Sequence, residues 1–342
     1  MDSRARPGRD LVLATKPYAR EQRGRSWWHF TSTIAIVAGL FTLNSLGFHW
    51  FYRLPIAILT GLVLVRVFVL YHDYLHGAIL ERSWFANAFF TTFGLLAMSP
   101  RSIWKRSHDH HHHHNAQYFG TGAGTFKLMT VDEFARATRW QRLAYAFERH
   151  PLTILFGYLT VFIGGMCLQP FLTNPKRYWD AGLALVLQAA IIVTLAIYSP
   201  AALFFSFLLP ISIASAAGAY LFYAQHNYPS AEYHDSDHWD YVVAALRSSS
   251  CLRGGALTHW ITGNIGYHHV HHLNSRIPFY RLPEAMAGIP ELQNPGMTSL
   301  HPLEVWRCLQ LKLWDPELNR LVGFREMRGT SMTTTSQHKK AA

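Results

Sequence analysis

Three clusters of histidine, together with one isolated histidine, have spacings that could bind metal ions. HDYLH places two histidines four residues apart, so both lie on one face of a helix. HDHHH and HHVHH each contain histidines at i, i+3 and i+4, again on one face. FYAQH adds a single histidine just beyond an apolar segment. The candidate ligands are His72, His76, His108, His111, His112, His226, His268, His271 and His272.

The number of these histidines predicts more than one metal ion. Neutral imidazole binds iron, zinc, copper and nickel. A tetrahedral zinc site needs only three or four protein ligands. We therefore expect two ions that share one site. The sequence contains neither an H-E-x-x-H motif nor the Glu-x-x-His pairs of soluble di-iron bundles.

Three polar residues beside the candidate ligands could orient the imidazole rings. They are Asp73, Asp109 and Asn264. Each could equally cap a helix.

Seven other histidines lie between, beside or apart from the motif positions. We expect the first four to surround the ligands or to lie on a polar surface, and the other three to be surface or hydrogen-bonded core histidines. The first four are His110, His113, His114 and His269. The other three are His234, His238 and His259.

The composition indicates a membrane protein. Half of the residues are hydrophobic and only 15% are charged, against about a quarter in soluble proteins. The net charge of +11 comes from basic residues beside apolar segments, which favours an anionic membrane face over nucleic acid. The three cysteines form no C-x-x-C pair, so we expect no disulfide framework. The first 28 residues lack an apolar core, so we expect no cleavable secretory signal.

The apolar segments predict an all-α integral membrane protein with four transmembrane helices in two hairpins. All ligands must meet on one side of the membrane, so an even number of crossings must separate His112 from His226. Three apolar segments lie between them, and we expect 152–172 to lie flat. Segment 85–98 is too short to cross. The predicted spans are about 30–47, 54–71, 181–199 and 201–223.

The polar regions complete this topology. We expect residues 1–28 to form a basic cytosolic tail, 29–328 the membrane domain and 329–342 a disordered tail. The remaining polar sequence forms a histidine-rich helical cap on the cytosolic face, since that face attracts Lys and Arg. Aromatic residues near the segment ends are expected to form an interfacial belt rather than an acyl pocket.

The order of the histidine motifs, together with the two apolar hairpins, resembles the membrane fatty acid desaturase superfamily. The resemblance covers roughly residues 30–290. HDYLHG, HDHHHHHNAQ, FYAQHNYP and TGNIGYHHVHHLNSRIPFYRLPEAM are most similar to bacterial acyl-lipid desaturases of the delta-12 or omega-6 kind. The superfamily motif corresponds to the nine candidate histidines.

The resemblance implies a chemistry. It implies a non-haem centre of two irons, with O₂ as co-substrate, that introduces a cis double bond into a lipid acyl chain. It also implies an external electron donor of the ferredoxin or cytochrome b5 type, and a site on the cytosolic face of a bacterial inner membrane.

Two other functions remain open on these residues. A hydroxylase or carotenoid ketolase of the same histidine-box type would use the same ligands. A zinc-binding membrane receptor or transporter would carry zinc without iron, with its ligands inside the helices rather than beyond their ends.

Overall fold

The computed structural model describes residue 6 and residues 8–118 and 126–327. These residues are mainly helical. The helices of the first half are α1 (Gly8–Ala14), α2 (Arg23–Ser45), α3 (Trp50–Leu75), α4 (Trp84–Leu96), α5 (Arg101–His113), α6 (Val131–Arg136), α7 (Arg139–Glu148) and α8 (Pro151–Leu155). A π-helical stretch, Tyr158–Leu168, then leads into α9 (Gln169–Thr173).

The second half continues the helical pattern. A second π-helical stretch covers Leu203–Leu208. Two 3₁₀ turns cover Phe279–Arg281 and Pro290–Leu292. The helices are α10 (Trp179–Tyr198), α11 (Pro200–Ala202), α12 (Leu209–Ala224), α13 (Tyr241–Arg247), α14 (Ala256–Ile261), α15 (His268–Leu273), α16 (Leu282–Gly288) and α17 (Pro302–Gln310).

Short strands add two small sheets, which the all-α prediction does not include. In one sheet the strand Leu313–Asp315 pairs in parallel with Met129–Thr130 and in antiparallel fashion with Arg320–Val322. In the other sheet the strands Cys251–Arg253 and Met297–Ser299 are parallel. The strands are β1 (Met129–Thr130), β2 (Cys251–Arg253), β3 (Met297–Ser299), β4 (Leu313–Asp315) and β5 (Arg320–Val322).

Three helical stretches of the described chain are long and apolar enough to cross a membrane. They are α3, α10 and the continuous run Pro200–Ala224. The predicted first span falls in α2, which has 23 residues and packs along α3. α2 is not among the three, because polar residues such as Ser32 and Asn44 interrupt its apolar sequence. The helical class agrees with the prediction, and the count of four spans stays a prediction.

The two segments expected not to cross are also helical. Segment 85–98 forms α4, whose 13 residues extend only about 20 Å. Segment 152–172 forms a run from Pro151 to Thr173 that packs against α10 and α12. The prediction that this run lies flat in the membrane stays open.

Close backbone packing holds α3 against α12. A Cβ atom added at Gly61 would lie 2.8 Å from the Pro210 carbonyl oxygen and 2.8 Å from Ile213 Cβ. Only glycine leaves room for this approach. The first and last long apolar helices are thereby locked side by side.

A buried arginine ties α3 to α2 and to the cap. Arg66 is 2% exposed, as expected for a charge that faces protein rather than lipid. Its Nε donates to Thr33 Oγ1 at 3.0 Å, and its Nη1 donates to the Trp260 carbonyl oxygen at 2.5 Å. The guanidinium also lies over the Phe279 ring. This contact connects the membrane hairpin to the segment that follows α15.

The N-terminal region is helical from Gly8 and packs on the rest of the chain, and its assignment as a basic cytosolic tail over 1–28 stays a prediction. α1 packs on α13, and Leu11 is buried in the core. Thr15 Oγ1 accepts a hydrogen bond of 2.7 Å from Asn274 Nδ2, next to α15. Leu11 and the partly buried Val12 anchor this basic segment to the core, whereas Leu13 stays exposed. The expected tail at 329–342 lies outside the described residues.

The α3–α12 contact gives a stability prediction. Gly61→Ala should lower the thermal unfolding midpoint in detergent, since overpacking costs about 1–3 kcal/mol. Gly39→Ala in α2 is the matched control, because no atom lies within 4 Å of its added Cβ. Equal midpoints for the two variants would contradict the tight contact at Gly61.

Candidate metal centre

Four parts of the chain converge and bring the candidate ligands together. His72 lies in the last turn of α3, and His76 caps that helix. α5 carries the second cluster and α15 carries the third. His226 follows the end of α12 by two residues. The imidazoles therefore project from helix ends and from single helix faces, as their spacing predicts.

The nine imidazoles form two groups, and within each group the ligand nitrogens lie within 4.8 Å of one another. The rings of His112 and His272 stack at 4.3 Å between centroids and join the groups. The first group is His72, His76, His108, His112 and His271. The second group is His111, His226, His268 and His272.

The distances between nitrogens fit one metal ion in each group. Nε2 of His72 lies 3.0 Å from Nε2 of His108, and Nε2 of His226 lies 2.9 Å from Nε2 of His268. Metal–nitrogen bonds of about 2.0–2.1 Å place neighbouring donors about 2.8–3.4 Å apart, at angles between 90° and tetrahedral. Nε2 of His76 is buried and has no hydrogen-bond partner among the described residues, as a metal ligand requires.

Burial keeps eight of these rings in the neutral form that binds metal. Desolvation lowers the pKa of His226 to about 4, although its hydrogen bond to the Ser248 carbonyl opposes the shift. Desolvation, followed by repulsion from neighbouring imidazoles, lowers the pKa of seven further histidines well below the ordinary value. These are His76, His108, His111, His112, His268, His271 and His272.

A large apolar cavity reaches the imidazoles. Its volume is about 1310 Å³, and His72, His108 and His268 form part of its wall. Most of the remaining wall is apolar and comes from α2, α3, α4, α12 and the first π-helical stretch. The arrangement places an apolar compartment directly against the metal-binding nitrogens.

The family follows from a match that spans most of the chain. A family model described as "Fatty acid desaturase" matches residues 48–300, which include all nine histidines. The chain belongs to the fatty acid desaturase family. It is 29% identical to a curated protein named "Fatty acid desaturase" from Bacillus subtilis (strain 168), over 331 residues. That alignment covers 94% of this chain and 92% of the relative, and the expected resemblance is confirmed.

One of the three expected orienting residues contacts a candidate ligand. Asp73 Oδ1 lies 3.0 Å from Nδ1 of His72, and its Oδ2 accepts a 2.7 Å hydrogen bond from the Phe279 backbone N–H. Asp109 instead pairs with Lys105 at 2.7 Å, and its side chain is 40% exposed. Asn264 donates to the carbonyl oxygen of Phe279, the same residue whose backbone N–H bonds Asp73.

The additional histidines lie outside the two groups. His113 and His114 bond through Nδ1 to the carbonyls of Asp109 and His110, one helical turn back. His110 stacks on His114 with centroids 4.0 Å apart. His269 is buried, and its Nε2 lies 3.0 Å from the Leu292 carbonyl oxygen. These contacts agree with surface and supporting roles.

The other three histidines do not belong to the two groups. His238 Nδ1 lies 2.7 Å from Asp235 Oδ1 at the surface. The backbone N–H of His234 donates to the Ala116 carbonyl oxygen. His259 stacks near Tyr267.

Sequence reasoning missed two kinds of group at the site. The Ser248 carbonyl accepts from Nδ1 of His226 at 2.9 Å and leaves Nε2 as the lone-pair nitrogen. Aromatic residues also surround the centre: Trp104 stacks on His108 at 4.3 Å, and Phe68 and Phe93 line the cavity. The expectation of a belt rather than a pocket is therefore wrong for these rings.

The contacts of Asp73 give a prediction for metal binding. A carboxylate serves His72 and Phe279 with separate oxygens, whereas an amide has only one acceptor oxygen. Asp73→Asn should therefore weaken metal binding at this site roughly 10–100-fold. Asp109→Asn, which loses only a contact to Lys105, should leave the metal affinity unchanged. Competition against a soluble chelator measures both, and equal affinities would contradict the role of Asp73.

Proposed function

We propose that this chain is an O₂-dependent fatty acyl desaturase whose two imidazole groups each hold one iron. The supporting observation is the position of both groups against a large apolar cavity. The nine histidines are the proposed ligands. Bound iron would supply the oxidising power needed to remove hydrogen from an unactivated methylene, with O₂ as the oxidant.

The reaction requires electrons that the acyl chain alone does not provide. Loss of two hydrogens from adjacent carbons yields two electrons and two protons. Reduction of O₂ to two waters consumes four of each. Two electrons and two protons must therefore come from outside, which is the role of a ferredoxin or cytochrome b5 type donor.

The residues of the chain bind and orient the reactants. The apolar wall, with rings such as Phe68 and Phe162, excludes water and holds an extended acyl chain. His72, His108 and His268 face that compartment directly. Asp73 and the Ser248 carbonyl fix the ring orientation of His72 and His226, so that their Nε2 atoms point toward the metal positions.

A hydroxylase or carotenoid ketolase of the same histidine-box type is the second candidate, because it would use the same ligand set. The fatty acid desaturase family match favours the desaturase. A zinc receptor or transporter fits less well, since His72, His76 and His226 lie at or just beyond the ends of long apolar helices, and His72 lines the large apolar cavity.

We place the centre on the cytosolic face of a bacterial inner membrane, above four spans. The proposed spans are α2, α3, α10 and Pro200–Ala224. His72 and His76 at the end of α3 and His226 after α12 must lie at one face, which this arrangement satisfies. Residues 1–28 and 101–150 are rich in Lys and Arg, which favours the cytosol for that face.

Expression in a host that lacks desaturases tests the function. We expect a new cis-unsaturated fatty acid in the host lipids and about two irons per purified chain. His111→Ala should abolish the product, because it removes a proposed ligand. His113→Ala, whose ring bonds only to its own helix, should keep most of the activity.

Three results would count against the proposal. Stoichiometric zinc without iron, under iron-replete expression, would oppose the oxygenase chemistry. A hydroxylated product would favour the second candidate. Loss of activity in His113→Ala but not in His111→Ala would overturn the assignment of ligands on α5.

A fusion at residue 176 tests the topology. We expect a reporter that works only in the cytosol to be active there, because Lys176 and Arg177 oppose translocation. Cytosolic activity is also expected after residue 25 and after residue 130, and external activity near residue 50. An external signal at 176 would mean that 152–172 crosses the membrane, and the count of four spans would fall.

A further inference from the structure

Helix α7 shows two opposite faces, and only one of them is covered by protein. Tyr145 and Arg149 lie on the covered face. The Tyr145 hydroxyl bonds the Lys312 carbonyl, and Arg149 Nη2 donates to Asn227 Oδ1 at 2.5 Å. These contacts fix the rotation of α7 about its own axis. Its other face must therefore point away from the folded chain.

The uncovered face of α7 is apolar. Trp140 is 77% exposed, Leu143 is 50% exposed and Phe147 is 64% exposed. Their spacing of three and four residues forms one stripe along the helix. Three large apolar side chains in one stripe mark a surface that meets a partner or a membrane.

The apolar stripe continues into the surface that enters the membrane region. Leu152, Leu155, Phe156 and Leu159 follow on α8 and the start of the π-helical stretch, and each is more than half exposed. This run leads into the apolar helix that packs against α10, one of the three candidate spans. The lipid that would surround α10 as a membrane span would therefore also contact α7.

Two basic residues of α7 lie on its polar side, outside the stripe. Arg139 and Arg142 are exposed, and neither forms an ion pair within the described part of the chain. Thr138 and Gln141 cap the helix, so its register is set independently of the arginines. A helix with an apolar stripe and arginines on its polar side is the pattern of a segment that lies in an anionic membrane interface.

The same helix borders the cavity. Phe147, Glu148 and Lys127 are part of the cavity wall, and Phe147 and Lys127 are exposed. The cavity therefore reaches the protein surface at the C-terminal end of α7. Its other wall includes the imidazoles of the centre.

We propose that α7 lies in the plane of the membrane surface, with its apolar stripe in the bilayer and with Arg139 and Arg142 bound to anionic lipid head groups. Head groups held there would stand beside the surface end of the cavity. A lipid bound at α7 can then pass its acyl chain into the cavity at Phe147. This last step rests on the proposed function, whereas the membrane contact does not.

A fluorophore on α7 tests the contact. The three native cysteines, Cys167, Cys251 and Cys308, are buried, so a bimane label should react selectively at Leu143→Cys. In lipid nanodiscs we expect lipids brominated on their acyl chains to quench this label. A label at Glu317→Cys, in the exposed turn between β4 and β5, should not be quenched. No quenching at 143 would overturn the proposal, including the case in which a protein partner covers α7.

A second experiment varies the head group of the quenching lipid. With the label at 143, brominated phosphatidylglycerol should quench more than brominated phosphatidylcholine at equal content. An anionic surface favours each nearby basic residue by about fivefold. Arg139→Gln with Arg142→Gln should therefore remove most of the preference, and Arg325→Gln should leave it unchanged. Equal quenching by the two lipids in the native sequence would overturn the head-group part.

The outcomes separate this inference from the proposed function. If the native chain desaturates lipid but the label at 143 meets no lipid, only the role of α7 fails. If the label is quenched with the expected preference but no unsaturated product forms, the membrane contact stands and the desaturase proposal fails. The arginine variants should retain the native iron content, since neither residue contacts a histidine of the two groups.

Discussion

The convergence of nine mostly buried imidazoles is the constraint on which the rest of the structure depends. Six pairs of Nε2 atoms lie only 2.9–3.1 Å apart. A buried polar atom without a partner costs roughly 1–3 kcal/mol, and a folded domain is stable by only about 5–15 kcal/mol. The lone pairs must therefore be satisfied for the fold to persist. In the proposed desaturase, metal binding would contribute directly to folding stability.

Because the imidazoles converge, the helix ends that carry them must lie at the same level. His72 at the end of α3 and His226 after α12 must reach a common level, and the close approach at Gly61 sets how the two helices lie against each other. Above them, α5 and α15 each contribute three imidazoles from one face. Arg66 then joins the membrane hairpin to Phe279, whose backbone N–H holds Asp73. A change in helix packing would therefore reach the ligand His72 through short contacts.

The spacing of the histidines in the sequence predicted the features that depend only on local helix geometry. Histidines at i, i+3 and i+4 share a helix face in any fold, so spacing alone could group eight of the nine rings within their three clusters, whereas the isolated His226 has no such spacing. The supporting contacts are different, because Ser248 and Phe279 act through backbone atoms that have no side-chain signature. Asp73 and Asp109 each adjoin a histidine in the sequence, and only burial in the fold separates their roles. The folding of α1 likewise depends on α13, a partner more than two hundred residues away.

The membrane is both the solvent of the long helices and the proposed source of the substrate. An acyl chain that crossed water would expose methylenes at about 0.8 kcal/mol each, so a path from bilayer to centre must stay apolar throughout. The cavity provides such a path if its surface end meets lipid. A helix that held anionic head groups at that end would also raise the local concentration of the lipids it binds. The lipid composition of the membrane would then influence which acyl chains reach the imidazoles, before any selection inside the cavity.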